Sequence, residues 1–289
     1  MILVTGGTGT VGRELLGRLG AGRRVRVMAR DPARVARLVQ AVEVTERVET
    51  VAADYGDARS LAAALQSVRT AFLVTTDVTG GDDERFLDAA VRAGVRRVVK
   101  LSAAAVLDEQ ADDLITRWQR GGEELLRGSG LEWTLLRPRA FTSNALAWAP
   151  SIRSARTVRV LYGTSPSACV DPRDVAAVAA RVLTEEGHAG RAYTLTGPES
   201  VTAAEQTEQL SRLLRVRLRC EELSLDEARA ALARRYPAPV AEALLQSAQR
   251  QRAGAKAGVT DTVAALTGGR AGSFGGWARD HLAAFVPDG

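Results

Sequence analysis

The sequence predicts a doubly wound α/β fold, a parallel β-sheet with helices on both faces, followed by a smaller, mostly helical lobe. Three observations predict it. Short apolar runs without polar alternation recur from residue 2 to residue 136, as strands buried on both faces require. Stretches of about ten or more residues with helical periodicity separate them, the spacing of strand–helix–strand crossovers. Beyond Pro138 this rhythm breaks. The boundary is therefore placed at residue 140, with a main domain over 1–140 and a lobe over 141–289, from which residues 190–197 can return to the main sheet.

Taken in order, residues 2–4 form a first strand that ends at Thr5. Gly6, Gly9 and Gly12 follow, then a helix with Val11, Leu15, Leu16 and Leu19 on one face, stopped by Gly20 to Gly22. Residues 25–29 form the second strand, and a helix starting at Arg30-Asp31-Pro32 turns Val35 and Leu38 inward. Strands follow at 48–52, 71–74, 95–101 and 133–136, with helices around 61–65, at 86–91 after Gly80-Gly81, and at 112–127. In the lobe, 141–154 reads as helical, 158–162 as extended, 174–183 as helical and 192–196 as a strand. Thr202 and Glu205 have the spacing of a capping box. Residues 216–220 are strand-like, and the tail from Ser224 is mostly helical.

Composition excludes several functional classes. Hydrophobic residues make up 46% and charged residues 25%, as in a soluble globular protein. The formal charge of +5 invites a nucleic-acid reading. The two lysines, Lys100 and Lys256, leave 39 − 2 = 37 arginines, spread over the whole chain with no basic run of interleaved aromatics. No nucleic-acid partner is expected. Cys169 and Cys220 have no CxxC partner, so no metal site is expected and both are read as buried free thiols. No apolar run approaches the roughly 18 residues that span a bilayer. With the first strand starting at the first residue, neither a targeting segment nor a membrane partner is expected, and the predicted location is cytoplasmic.

The chemistry starts at the glycines. A strand that delivers the chain to a tight glycine turn lets the backbone approach a pyrophosphate, and the positive end of the next helix faces it. Strand before and helix after make Gly6, Thr8, Gly9, Thr10, Val11 and Gly12 a dinucleotide-binding turn of the Rossmann type. The residue ending the second strand meets the adenosine ribose. Here it is Arg30, with Arg34 a turn later, and a guanidinium forks onto a 2′-phosphate. The predicted cofactor is therefore NADP(H). Asp54 is placed to meet the adenine ring, and Thr75 and Thr76 to line the ribose and nicotinamide path.

The segment 5–12, Thr-Gly-Gly-Thr-Gly-Thr-Val-Gly, resembles the TGxxGxxG fingerprint of atypical short-chain dehydrogenases/reductases. Segments 53–57 (Ala-Asp-Tyr-Gly-Asp), 129–138 (ending Leu-Leu-Arg-Pro), 141–144 (Phe-Thr-Ser-Asn), 170–176 and 193–199 resemble their NmrA-like group, which includes bacterial NADPH-dependent quinone oxidoreductases. The resemblance spans nearly the whole chain. It implies an NADP(H)-binding Rossmann domain with a C-terminal substrate lobe. It places Arg137 and Pro138 beside the nicotinamide, Ser102 as a polar group facing nicotinamide and substrate, and Phe141 and Asn144 on the substrate wall. Lys100 shares a strand face with Ser102, as a second catalytic candidate or as half of a structural ion pair. Trp118, Phe141 and Trp148 offer either a flat pocket for an aromatic substrate or plain core.

The usual catalytic groups are missing. Short-chain dehydrogenases use Tyr-x-x-x-Lys, but Tyr55, Tyr162, Tyr193 and Tyr236 are followed four residues on by Arg59, Pro166, Gly197 and Val240. Relatives often carry a His four residues before the position of Glu123, where this chain has Gln119, an amide that cannot shuttle protons near neutral pH. The expected function is an NADPH-dependent oxidoreductase transferring hydride to a small-molecule quinone or other conjugated or aromatic carbonyl. The Arg-rich, high-GC composition suggests a place in secondary metabolism. An NADP-sensing interaction protein without turnover, or a non-redox isomerase or cyclase on the same scaffold, stays open as an alternative. Gly121 and Gly122 inside a helix suggest close approach of a neighbouring helix, hence a homodimer.

Overall fold

The computed structural model describes residues 1–19, 22–31, 33, 35, 47–79 and 81–286. Arg34, Gly20, Gly80 and the body of the helix expected after Pro32 lie outside these residues. The chain forms two compact units. One comprises Met1–Ala104, Trp118–Pro138 and Pro172–Thr194, and the other Ala105–Arg117, Arg139–Asp171 and Leu195–Gly289. The chain changes units at Pro138, close to the expected boundary, but residues 105–117 and 172–194 fall on the opposite sides from those expected. For 172–194 the reason is packing, given below.

The first unit is built on strands β1 (Ile2–Thr5), β2 (Val25–Ala29), β3 (Val48–Ala52), β4 (Thr70–Leu73), β5 (Arg97–Leu101), β6 (Glu132–Pro138) and β8 (Arg191–Leu195). Their order across the sheet is β3-β2-β1-β4-β5-β6-β8, and the pairings from β3 to β6 are parallel. The order reverses between β1 and β4, which opens a crevice at the carboxyl ends of those two strands. Residues 190–197 do supply a strand to this sheet.

Helices cover both faces. On one side α2 (Ala58–Leu65), α3 (Asp82–Arg92) and α4 (Leu114–Gly128) bury Leu61, Leu65, Phe86, Leu87 and Leu126 against Leu3, Leu73, Val98 and Leu135 of the strands. On the other, α1 (Thr10–Leu19) packs against α6 (Pro172–Thr184). Leu15, Leu16 and Leu19 of α1 and Val175, Val178, Ala179 and Val182 of α6 are all buried. Complete burial of a Leu or Val contributes about 1.5–3 kcal/mol. That seam is what brings 172–194 into the first unit.

The second unit holds α5 (Ala149–Ala155), a parallel pair formed by β7 (Thr157–Val160) and β9 (Arg219–Glu222), and helices α7 (Ala203–Leu214), α8 (Leu225–Ala233), α9 (Ala238–Arg252), α10 (Thr262–Thr267) and α11 (Phe274–Asp280). Its core gathers Ile152, Val158, Leu210, Phe274, Trp277 and Phe285. The capping box of Thr202 and Glu205 is present, and Ser224 with Glu227 forms a second one.

Three expectations change here. The stretch 141–154 is not one helix, because Pro150 stands at the start of α5 and a tight 3-10 turn, Thr142–Trp148, precedes it. The strand expected at 216–220 starts later, since Arg215 is left-handed and the Val216 and Leu218 amides bond back to Ser211 at the end of α7. Cys220 is exposed and Cys169 only half-buried, though both are free, because Cys220 stands on an edge strand of a two-stranded sheet rather than in a core.

Candidate active site

The carboxyl ends of the strands bring most of the expected residues to one edge of the first unit. Across it, in sheet order, come Asp54 after β3, Arg30 after β2, Gly6 after β1, Thr75 after β4, Ser102 after β5 and Arg137 near the end of β6.

The glycine turn is fixed by contacts that each glycine alone permits. Gly6 has φ +65, in the left-handed region. The Gly9 amide bonds the Gly6 carbonyl at 2.9 Å, closing the turn. A Cβ on Gly12 would stand 2.2 Å from the Gly6 oxygen. Gly7, which lies outside the three-residue repeat, is also constrained, since its Cβ would meet a side-chain methyl, Val27 Cγ1 of β2, at 2.5 Å. Thr5 Oγ1 accepts the Val74 amide at 2.7 Å, locking the turn to the end of β4. Gly6, Gly9 and Thr10 remain exposed where the turn enters α1, and the first-turn amides and dipole of that helix suit an anion. Val11 is buried and can offer only its backbone. The cradle thus fits a dinucleotide pyrophosphate.

Arg30 is exposed directly after β2. Asp54 is exposed, and its Oδ1 accepts the Gly56 amide at 2.8 Å. The nearby Tyr55 hydroxyl donates to the Val74 carbonyl at 2.8 Å, and burial holds the phenol above its ordinary pKa. It is no proton donor near neutrality. Thr76 is exposed.

Two buried polar networks occupy the middle of the edge. In the first, Lys100 Nζ pairs with Asp83 Oδ1 at 2.5 Å, and the Thr75 hydroxyl donates to the same carboxylate at 3.2 Å. Lys100 is fully buried, so as a catalytic candidate it is corrected: its ammonium is committed to Asp83 and cannot touch a substrate. Gly122 is explained by this pair, because a Cβ there would lie 2.6 Å from Asp83 Oδ2 and 2.9 Å from Lys100 Cε. Gly122 therefore needs no neighbouring helix, whereas nothing lies within 4 Å of the Cβ position of Gly121, on which the expected homodimer now rests.

In the second network Ser102 Oγ donates to Glu123 Oε1 at 2.6 Å, and Arg137 forks onto the same carboxylate at 2.8 and 2.5 Å. Arg127 adds a contact at 3.0 Å. Burial by itself raises the Glu123 pKa, but the hydrogen bonds from Arg137 and Ser102 and the charges of Arg137 and Arg127 outweigh it, leaving the carboxyl below its usual 4.5. A depressed folded-state pKa adds stability above the unfolded value that is lost as pH falls through the folded one. The urea midpoint is therefore expected to drop as pH falls below 4.5, and Glu123→Gln should flatten that drop. Parallel wild-type and variant slopes would contradict the assignment.

Gln119 lies on α4, buried, with no hydrogen-bond partner for Oε1 among the described residues. The Trp118 ring has Lys100 Nζ 5.8 Å from its centroid. Pro138 is buried at the end of β6. In the second unit, Phe141 bridges to Val170, Asn144 is exposed on the 3-10 turn, and the partly buried Trp148 packs against the apolar core. His188 and His281 have structural partners, Tyr193 and Trp277. Sequence reasoning passed over Asp83 and Gly7 and used Glu123 only as a reference position. Each owes its role to a partner distant in sequence, a relation that leaves no local signal.

A family profile described as NAD(P)H-binding matches residues 6–186. The (4-alkanoyl-5-oxo-2,5-dihydrofuran-3-yl)methyl phosphate reductase of Streptomyces griseus is 56% identical over 288 residues, covering 100% of both chains. The NAD(P)H azoreductase of Xenophilus azovorans is 33% identical over 290 residues, 99% of each chain. Among solved structures, an NADPH-dependent quinone oxidoreductase from Escherichia coli in complex with NADPH superposes with a TM-score of 0.84 at 26% identity, covering 98% of this chain and 99% of that one.

Proposed function

This chain belongs to the NAD(P)H-binding family as an NAD(P)H-dependent oxidoreductase of the atypical short-chain type, and we propose that it reduces the ring double bond of a phosphorylated acyl-butenolide with NADPH. One observation carries the reading. The candidate proton donors along the strand ends are already committed, Ser102 to Glu123 at 2.6 Å and Lys100 to Asp83 at 2.5 Å, and Tyr55 is bonded to the Val74 carbonyl. A site of this kind suits an acceptor whose reduced anion is stable enough to take its proton from water.

The substrate named for the Streptomyces griseus relative is of that kind. Its ring double bond is conjugated with the lactone carbonyl and with the alkanoyl ketone. NADPH, when bound, supplies hydride to the ring carbon bearing the phosphomethyl group, and the displaced electron pair spreads over both carbonyl oxygens as an enolate. Water then protonates the carbon between them. The protein contributes position and charge. The turn from Gly6 to Gly12 holds the pyrophosphate, Arg30 the 2′-phosphate and Asp54 the adenine end. The network of Ser102, Glu123 and Arg137 stiffens the ends of β5 and β6. Quinones, expected from the family resemblance, share the electron-poor conjugated system.

The test is consumption of NADPH with an acyl-butenolide phosphate beside a quinone and an azo dye. The butenolide phosphate is expected to give the highest kcat/KM, by about tenfold or more. Turnover of the quinone with none of the butenolide would contradict the reading. Arg30→Ala is expected to weaken NADPH by about tenfold or more, the value of a charge-assisted hydrogen bond, with little change for NADH. Fluorescence titration with both nucleotides measures it, and equal losses would remove the 2′-phosphate role.

A further inference from the structure

We propose that Lys256 and Arg139, with the hydroxyl of Thr142, form a subsite in the second unit for the phosphate monoester of the substrate. It rests on the phosphorylated-substrate reading above, which assigns no residue to that phosphate. Three segments of the chain run side by side here, and the charges of Lys256 and Arg139 are close enough to act on each other. Val170 accepts the Thr142 amide at 3.0 Å and donates to the Ala140 carbonyl at 2.9 Å. Two residues before it, the Ala168 amide bonds the Lys256 carbonyl at 3.0 Å.

The side chains on this framework are short of partners. Arg139 Nε and Thr142 Oγ1 are buried without a hydrogen-bond partner. Lys256 Nζ reaches one side-chain acceptor, Gln251 Oε1, at 3.4 Å. Neither cation has a carboxylate within ion-pair distance among the described residues. The contrast with Arg250 is informative, since that guanidinium is matched by Asp113 and, at 3.4 Å, by Asp108. Buried cations are ordinarily paired. Here burial, followed by the positive charges of Arg250 and Arg139, outweighs the attraction of Cys169 and Asp113 and brings the Lys256 ammonium down to about 8. Burial likewise lowers the pKa of Arg139 against the pull of Asp108. Two cations without a carboxylate and a hydroxyl without a partner lack an anion, and a phosphate dianion supplies acceptors for all three.

The chain's lysine count makes a direct test available. Lys100 is fully buried in its ion pair, so trace acetylation of the full-length protein near pH 8, resolved by peptide mass, reads Lys256 alone among lysine side chains. Phenyl phosphate is expected to slow acetylation of Lys256 by about fivefold or more, whereas phenol leaves it unchanged. Equal rates with and without phenyl phosphate would overturn the subsite. In turnover, Lys256→Met is expected to lower the kcat/KM ratio of butenolide phosphate to its dephosphorylated alcohol by about tenfold or more. An unchanged ratio would overturn it too. Should the wild type reduce neither compound, the substrate reading fails by itself, and the labelling result still decides whether Lys256 holds a phosphate.

Discussion

Replacing Gly12 with alanine is expected to weaken NADPH binding by about a hundredfold. The new Cβ would stand 2.2 Å from the Gly6 oxygen, 2.8 Å from Gly7 Cα and 2.9 Å from the Gly6 carbonyl carbon. All three atoms are backbone, so no side-chain rotation relieves the overlap. Either α1 shifts along its axis or the turn opens, and both displace the amides that meet the pyrophosphate. Overpacking costs about 1–3 kcal/mol. The upper end applies here, and at about 1.4 kcal/mol per tenfold it corresponds to roughly a hundredfold in affinity. Gly17 serves as a control in the same helix, because nothing lies within 4 Å of its Cβ position. Gly17→Ala is expected to leave NADPH affinity unchanged and to stabilise the protein by about 1 kcal/mol through helix propensity. Nucleotide titration and thermal unfolding of both variants check the pair of outcomes. Wild-type affinity in Gly12→Ala would contradict the geometry of the turn.

The second large effect concerns Asp83. Asp83→Ala leaves the Lys100 ammonium buried without its partner at 2.5 Å and removes the acceptor of Thr75. Breaking one side of a buried ion pair costs about 3–5 kcal/mol, a large share of the roughly 5–15 kcal/mol that stabilises a domain. The urea midpoint is expected to fall accordingly. Asp83→Leu combined with Lys100→Met removes both charges and is expected to recover most of that loss, since apolar replacement of a buried pair is often neutral. If Lys100→Met lost kcat while its unfolding midpoint stayed at the wild-type value, the lysine would return to the catalytic role its position on β5 suggests.

What the sequence disclosed follows the range of the interactions. The sheet was legible because each buried strand is a local apolar run, and the glycine turn because its strand, turn and helix are contiguous. The placement of Arg30 and Asp54 after β2 and β3 was legible for the same reason. Gly7 was not, because the atom that excludes its Cβ belongs to Val27, on another strand. Nor was the fate of Lys100 and Ser102, whose partners Asp83 and Glu123 lie 17 and 21 residues away on helices. A strand-end polar residue looks the same in sequence whether it faces a ligand or a buried carboxylate. Gly122 shows the same limit, since a gap in helix propensity reports a close neighbour without saying which.

The missing Tyr, Lys and His also left a non-catalytic sensor and a non-redox enzyme open. Membership among the NAD(P)H-dependent oxidoreductases closes that choice. The vacancies then fit the proposal of an acceptor that needs no proton from the protein.

The pH dependence of kcat tests that claim most directly. On the proposed mechanism, with acyl-butenolide phosphate and NADPH both saturating, no ionising group of the protein takes part in the chemical step. The account predicts a kcat constant to about twofold between about pH 6 and pH 9. Over the same range kcat/KM should decline above about 8, as free Lys256 loses its proton. A bell-shaped kcat, or a limb falling about tenfold per pH unit, would show that a side chain of this protein delivers the proton after all.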